Sequence, residues 1–257
     1  MKFLLIFILA CHCLPVSAET ITIAVASNFR SAMNELINEF EADSEHEVLV
    51  SYGSSGRFFA QINNGAPFDA FFSADQDKPA LLEAGGESDS SRFTYAIGAL
   101  ALWSKSPGLP LAEGELLRQG SFNKLSIANP RLAPYGVAAL EVLASLGLQE
   151  STREFLVQGE NITQAFQFVD SGNAELGFVA LSQIMQAGVV EEALDEALEA
   201  LIEGSVWLVP SELHSPIRQD ALLLKRGENK QAAIDFLDFV QSDKAKKIIQ
   251  TYGYRFE

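Results

Sequence analysis

Thiols, imidazoles and cations are what this chain of 257 residues has least of. Its two cysteines, Cys11 and Cys13, both lie within the opening stretch MKFLLIFILACHCLPVSA. There Lys2 precedes an apolar run from Phe3 to Ala10, and Val16-Ser17-Ala18 ends in the small residues that signal peptidase cuts. The run is too short to span a bilayer as a stop-transfer helix, so residues 1–18 are expected to be a removable export signal. Ile8-Leu9-Ala10-Cys11 has a faint likeness to a lipoprotein cleavage site, but it falls very early for one. A chain processed after Ala18 has no cysteine, which excludes disulfides, thiolate catalysis and cysteine metal sites.

The other scarcities narrow the function. Of three histidines, His12 is in the leader, while His46 and His214 sit in unrelated contexts, without metal-ligand spacing. Against 34 acids there are 18 lysines and arginines, a formal charge of −16, which loss of Lys2 takes to −17. Such a surface repels nucleic acid and anionic lipid. No later run is apolar for long enough to cross a membrane. Walker-type and dinucleotide glycine motifs are missing. Ser55, Ser73 and Ser182 lack the Gly-x-Ser-x-Gly setting of a nucleophile elbow. The chain is therefore not expected to be an enzyme or to carry a cofactor.

What is present is alternation. Strand-like stretches at 20–26, 47–53, 69–74, 99–104, 124–129 and 176–181 are separated by segments with apolar residues at helical spacing, such as Met33, Leu36, Ile37 and Phe40. "VWLVP" and "DALLLK" precede a last helical pattern spanning 230–253. This predicts an α/β fold with mostly parallel sheets. Residues 189–204 read as an acidic surface helix with Leu194, Leu198 and Leu201 turned inward.

Three junctions share one design: "VASNF" at 25–29, "YGSSGRFF" at 52–59 and "NPRLAPYGVAAL" at 129–140 each end a strand and start a helix. "ENITQAFQ" at 160–167 opens a further helix with Asn161 as cap. Ligands in α/β proteins bind where strand carboxyl ends meet helix starts, and a helix start offers unpaired N–H groups. Serine and asparagine are also the commonest N-caps, so each junction taken alone reads as a cap, and it is their convergence that would point to a site. Asp69, Asp75 and Asp77 surround one strand and are the candidates for acid–base or metal chemistry, though Asp75 and Asp77 read more simply as turn and capping residues. Arg57 follows "SSG" and reads as a solvated or lobe-tying residue.

In this order, "IAVASNF", "YGSSGRFFAQINNGAPFDAFFSAD", "APYGVAALEVL", "AELGFVALSQ", "PIRQDALLLK" and "YGYRF" resemble the periplasmic molybdate-binding proteins of ABC importers, over essentially the whole mature chain. The resemblance implies a two-lobed periplasmic binding protein (type II), each lobe a mostly parallel sheet flanked by helices, with the ligand cleft between them. It implies lobe I from 19–100 and 206–257 and lobe II from 101–205. It further implies a monomer that captures molybdate, with tungstate, and delivers it to an inner-membrane permease, sulfate or another oxyanion being the alternative ligand. Carried over position by position, Ser27 and Ser55 contact the oxyanion from one lobe. Tyr135 and Ile162 contact it through their backbone N–H groups from the other, with no side chain liganding molybdenum directly. Where some members place a tyrosine hydroxyl, this chain has Ala180, and Asn28 beside Ser27 is the candidate replacement donor.

Overall fold

The computed structural model describes residues 18–185 and 202–257. The expected leader up to Ser17, and most of the acidic stretch 189–204, lie outside the described residues. No helix among the described residues is long and apolar enough to cross a membrane.

Two five-stranded mixed sheets organise the chain. The first is built from β1 (Thr20–Ala26), β2 (Glu47–Gly53), β3 (Ala70–Phe72), β4 (Phe93–Gly98) and β10 (Ile217–Leu223), in the order β2-β1-β3-β10-β4. The second uses β5 (Leu100–Ser104), β6 (Leu125–Ala128), β7 (Leu156–Gly159), β8 (Leu176–Ala180) and β9 (Ser205–Leu208), in the order β7-β6-β8-β5-β9. In each, one strand runs against its neighbours: β10 is antiparallel to β3 and β4, and β5 to β8 and β9. The chain leaves the first sheet after Gly98 and stays with the second through Leu208, so the return crossing follows β9.

Central strands buried on both faces read as continuous apolar runs, which is why β1, β3, β6 and β8 stand out in the sequence. The connecting helices are amphipathic. Helix α1 (Arg30–Asp43) buries Ala32, Met33, Leu36, Ile37 and Phe40 against the first sheet and leaves its charges outside. Helices α2 (Ser55–Asn63) and α3 (Asp77–Ala84) cover the other face of that sheet, where Phe58, Ile62 and Leu82 pack with Phe71 and Leu222. In the second half, α4 (Glu115–Gln119), α5 (Pro134–Ser145), α6 (Gln149–Thr152), α7 (Ile162–Asp170) and α8 (Leu181–Ile184) flank β5–β9. Then α9 (Gln231–Gln241) and α10 (Asp243–Gln250) return to the first core.

Two local expectations need correction. The last helical pattern is not one helix: Ser242 adopts extended backbone (ψ 158°), and its side chain accepts from the N–H of Ala245, ending α9 and capping α10. Strands β4 and β7 were not among the predicted elements. The closing "YGYRF" bridges back to β4, with Ile97 and Arg255 exchanging both backbone hydrogen bonds.

Candidate functional site

Strand register assembles the site. In the first sheet, β1 and β2 run parallel and level, ending with Ala26 opposite Gly53, so Ser27 and Ser54 leave the sheet side by side. The neighbour β3, paired at Phe72 with Val25, brings Ala74 to the same end. In the second sheet, Ala128 of β6 lies opposite Gly159 of β7, and the loops that follow start α5 and α7. Successive connections from β1 and from β6 go to opposite sides, so each sheet has a switch point there. The two switch points face one another.

Between them lies a narrow cavity of about 10 Å3, lined by Ser27, Ser54, Ser55, Tyr135 and Ile162 with Ala74 and a few neighbours. No charged side chain lines it. Its hydroxyls are unusual. The Oγ atoms of Ser27 and Ser54 are buried and have no hydrogen-bond partner. Ser54 holds the N-cap position of α2 yet caps nothing, whereas Asn161, at the start of α7, accepts from the N–H of Gln164 as an ordinary cap does. The Oγ of Ser55 accepts the N–H of Ala74 at 2.9 Å, which leaves its own proton to point elsewhere. First-turn N–H groups have no intrahelical acceptor. Those of Ser55, Tyr135 and Ile162 occupy such positions at the starts of α2, α5 and α7. The arrangement is a small, uncharged, buried cup of hydrogen-bond donors.

The two halves touch around the cup. The N–H of Gly56 donates to the carbonyl of Leu132 at 2.8 Å. Thr163 Oγ1 donates to the carbonyl of Ser27 at 3.2 Å, and Ser182 Oγ to that of Asn28 at 3.0 Å. Arg57 pairs with Glu160 at 2.8 Å, both side chains about half exposed. Such an exposed pair contributes ~0–1 kcal/mol. Gly56 is needed for this approach: a Cβ there would stand 2.9 Å from the Leu132 Cα. Its small size makes room for the opposite loop. Gly53 likewise makes room for the Phe58 ring, which would lie 3.0 Å from a Cβ at that position.

Asn28, the expected replacement donor, lines the cavity with its amide already engaged. Both amide hydrogens are spent, on Gln219 Oε1 at 2.9 Å and the Tyr254 hydroxyl at 3.0 Å. Ala180, buried at the end of β8, is not among the lining residues. Beneath the cup the hydroxyls of Tyr95, Tyr135 and Tyr254 are buried, and burial raises the pKa of each above the ordinary tyrosine value. All three remain neutral.

The carboxylates serve the scaffold. Asp69 is fully buried, accepting from the Thr22 N–H at 2.7 Å and from Lys230 at 2.9 Å, with Arg226 at 3.6 Å. Asp75 pairs with Lys78. Neither lines the cavity, and among the described residues no cluster of three or more His, Cys, Asp or Glu could hold a metal. Sequence reasoning placed both serines of "SSG" at the junction but gave the anion contact to Ser55 alone, and it passed over Ala74 and Gln219. Ser54 was legible as a serine at a cap position. The others depend on contacts across the fold.

Residues 21–255 match the bacterial extracellular solute-binding protein family. The chain belongs to that family. This solute-binding protein is 48% identical to the molybdate-binding protein ModA of Azotobacter vinelandii over 238 residues, 92% of this chain and 90% of the relative. It is 41% identical to ModA of Rhodobacter capsulatus, over 94% of this chain and 90% of the relative. The solved structure of the A. vinelandii periplasmic molybdate-binding protein superposes with a TM-score of 0.84 at 39% identity, covering 92% of this chain and 99% of that one.

Proposed function

We propose that this protein captures molybdate, and tungstate, in the cup between its two halves and delivers the anion to an ABC importer. The observation that carries this reading is the pair of buried hydroxyls, Ser27 and Ser54, left without partners on an uncharged cavity. Burying a polar group unpaired costs ~1–3 kcal/mol, and an incoming anion repays it. An apolar ligand leaves those hydroxyls unpaired, and a bare cation meets no carboxylate there. The cavity, about 10 Å3, is far below the ~300–1,000 Å3 of pockets that take larger organic ligands. Identity with ModA proteins across nearly the whole chain supports molybdate as that ion.

Ser27, Ser54 and Ser55 supply O–H donors from one half. Tyr135 and Ile162 supply backbone N–H donors from the other, each at a helix start whose dipole favours negative charge. Asn28 contributes by holding the base of the cup. Hydrogen bonds to a charged group contribute ~1.5–3 kcal/mol each, so five give on the order of 10 kcal/mol before association costs, against about 8 kcal/mol for a micromolar complex. Helix starts and exclusion of water carry the affinity further. A donor cup discriminates by protonation. Molybdate and tungstate are full dianions at neutral pH, whereas the hydroxyl proton of hydrogen phosphate would find no carboxylate to accept it. Sulfate, also a dianion, is separated by its smaller size.

The halves act as lobes joined at Gly98–Leu100 and at Val209–Pro216. Export to the periplasm, a monomeric state and handover to an inner-membrane permease complete the reading. Calorimetric titration of the processed protein tests it. Submicromolar binding of molybdate and tungstate, with sulfate and phosphate weak, is the expected result. Equal binding of sulfate would overturn the molybdate assignment, and no binding of any oxyanion would return "SSG" to an ordinary helix start.

A further inference from the structure

The side chain of Gln219 is fully buried on β10, at an irregularity in its pairing with β4. A buried amide is costly when its donors and acceptor go unpaired, and Gln219 finds partners for its oxygen and its nitrogen in opposite halves. Its Oε1 accepts from Asn28 Nδ2 at 2.9 Å and from the Tyr95 hydroxyl at 3.0 Å, both in the first half. Its Nε2 donates to the Tyr135 hydroxyl at 3.3 Å, in the second. Asn28 passes the connection on through its other amide hydrogen to the Tyr254 hydroxyl, which also contacts Ser182 Oγ of the second half at 3.0 Å. The network lies against the crossing strand: a Cβ on Gly98 would collide with both the Tyr135 hydroxyl and the Gln219 amide.

This places one hydrogen-bonded unit under both sets of donors. Asn28 follows Ser27 directly, and Tyr135 carries one of the N–H groups assigned to the anion. We infer that Gln219 is a positioning residue for anion capture. By tying Asn28 to the Tyr135 hydroxyl across the hinge, it holds the donors of the two halves at the spacing of the closed cup and so sets how long the anion is retained. The inference rests on the functional reading above. Its signature is kinetic. The bond from Gln219 to Tyr135 ties the two halves together, so losing it speeds release.

The test uses the processed protein and radiolabelled molybdate, following uptake and then release into excess unlabelled anion. Gln219→Met keeps the volume of the side chain and removes its hydrogen bonds. Tyr135→Phe removes only the hydroxyl and keeps the backbone N–H. Release is expected to accelerate tenfold or more in Gln219→Met and severalfold in Tyr135→Phe. The double variant should release no faster than Gln219→Met, because the two changes break one shared bond. A merely structural glutamine would lower the melting temperature and leave release unchanged, and that result overturns the inference. Additive effects in the double variant overturn it too. If Gln219→Met does not fold, Tyr135→Phe decides alone: accelerated release supports the inference, and release at the unsubstituted rate sinks it. Failure of the unsubstituted protein to take up molybdate would instead sink the functional reading.

Discussion

Ser27→Ala separates a binding hydroxyl from a structural one, because the two roles give opposite signs. In the fold, Ser27 Oγ is buried with no hydrogen-bond partner, so replacing the hydroxyl with hydrogen gives up no protein contact. The unliganded protein should melt at the same temperature or slightly higher. A gain of about 1 kcal/mol would appear as a rise of roughly 2–4 °C for a domain of this size. In the complex, the same change deletes one hydrogen bond to a dianion, about 1.5–3 kcal/mol. At about 1.4 kcal/mol per tenfold, the dissociation constant rises roughly 10- to 150-fold. The stabilisation that saturating molybdate confers shrinks accordingly. Calorimetry gives the affinity, and thermal melts with and without molybdate give both stabilities. An affinity within twofold of the unsubstituted protein would refute the reasoning. So would a loss of affinity matched by an equal loss of unliganded stability, which would make Ser27 a structural residue.

Three further outcomes follow from the same geometry. Gly56→Val should weaken molybdate binding at least tenfold in titration, because its side chain would press on Leu132 across the cleft; full affinity would mean the halves do not meet there in the complex. Asp69→Asn should cost about 3 kcal/mol in denaturant unfolding, the low end for breaking a buried ion pair, since Lys230 still reaches water; folded protein should bind molybdate normally, and a selective loss of binding would return Asp69 to the site. All five tyrosines have raised pKa values, chiefly from burial, Tyr52 and Tyr252 to about 12. The folded state therefore holds its phenolic protons above pH ~10, where the unfolded chain releases them, so stability falls as pH rises beyond that point. Native protein should show little tyrosinate absorbance at pH ~10, and early ionisation of more than one tyrosine would contradict the buried network.

Much of this was legible in the sequence, for identifiable reasons. β1 announces itself because a central strand buried on both faces is apolar along its length, and Met33, Leu36, Ile37 and Phe40 trace one helical face. The strand-to-helix junctions at Ser27, Ser54 and Tyr135 were visible as local chemistry. β4 hid within "FTYAIG", where mixed polarity and a flanking loop mask the pattern, and β7 spans only Leu156–Gly159. The break at Ser242 was masked because the apolar spacing continues across it; only the Ser-Asp pair marked a new cap. Gly53 and Gly56 admit the atoms of Phe58 and Leu132, a matter of tertiary packing that no local pattern shows. Asn28 looked like a donor to the cup because its partner Gln219 is 191 positions away. A polar "QD" pair inside the apolar run of β10 was the one local hint that something buried there needed partners.

The most direct test is a crystal structure of the processed protein grown with molybdate, with data collected to reveal the anomalous signal of molybdenum. The account predicts one strong peak in the cup, its four oxygens within hydrogen-bonding distance of the hydroxyls of Ser27, Ser54 and Ser55 and the N–H groups of Tyr135 and Ile162. A peak elsewhere, or a cup filled by ordered water in a crystal saturated with molybdate, would contradict it.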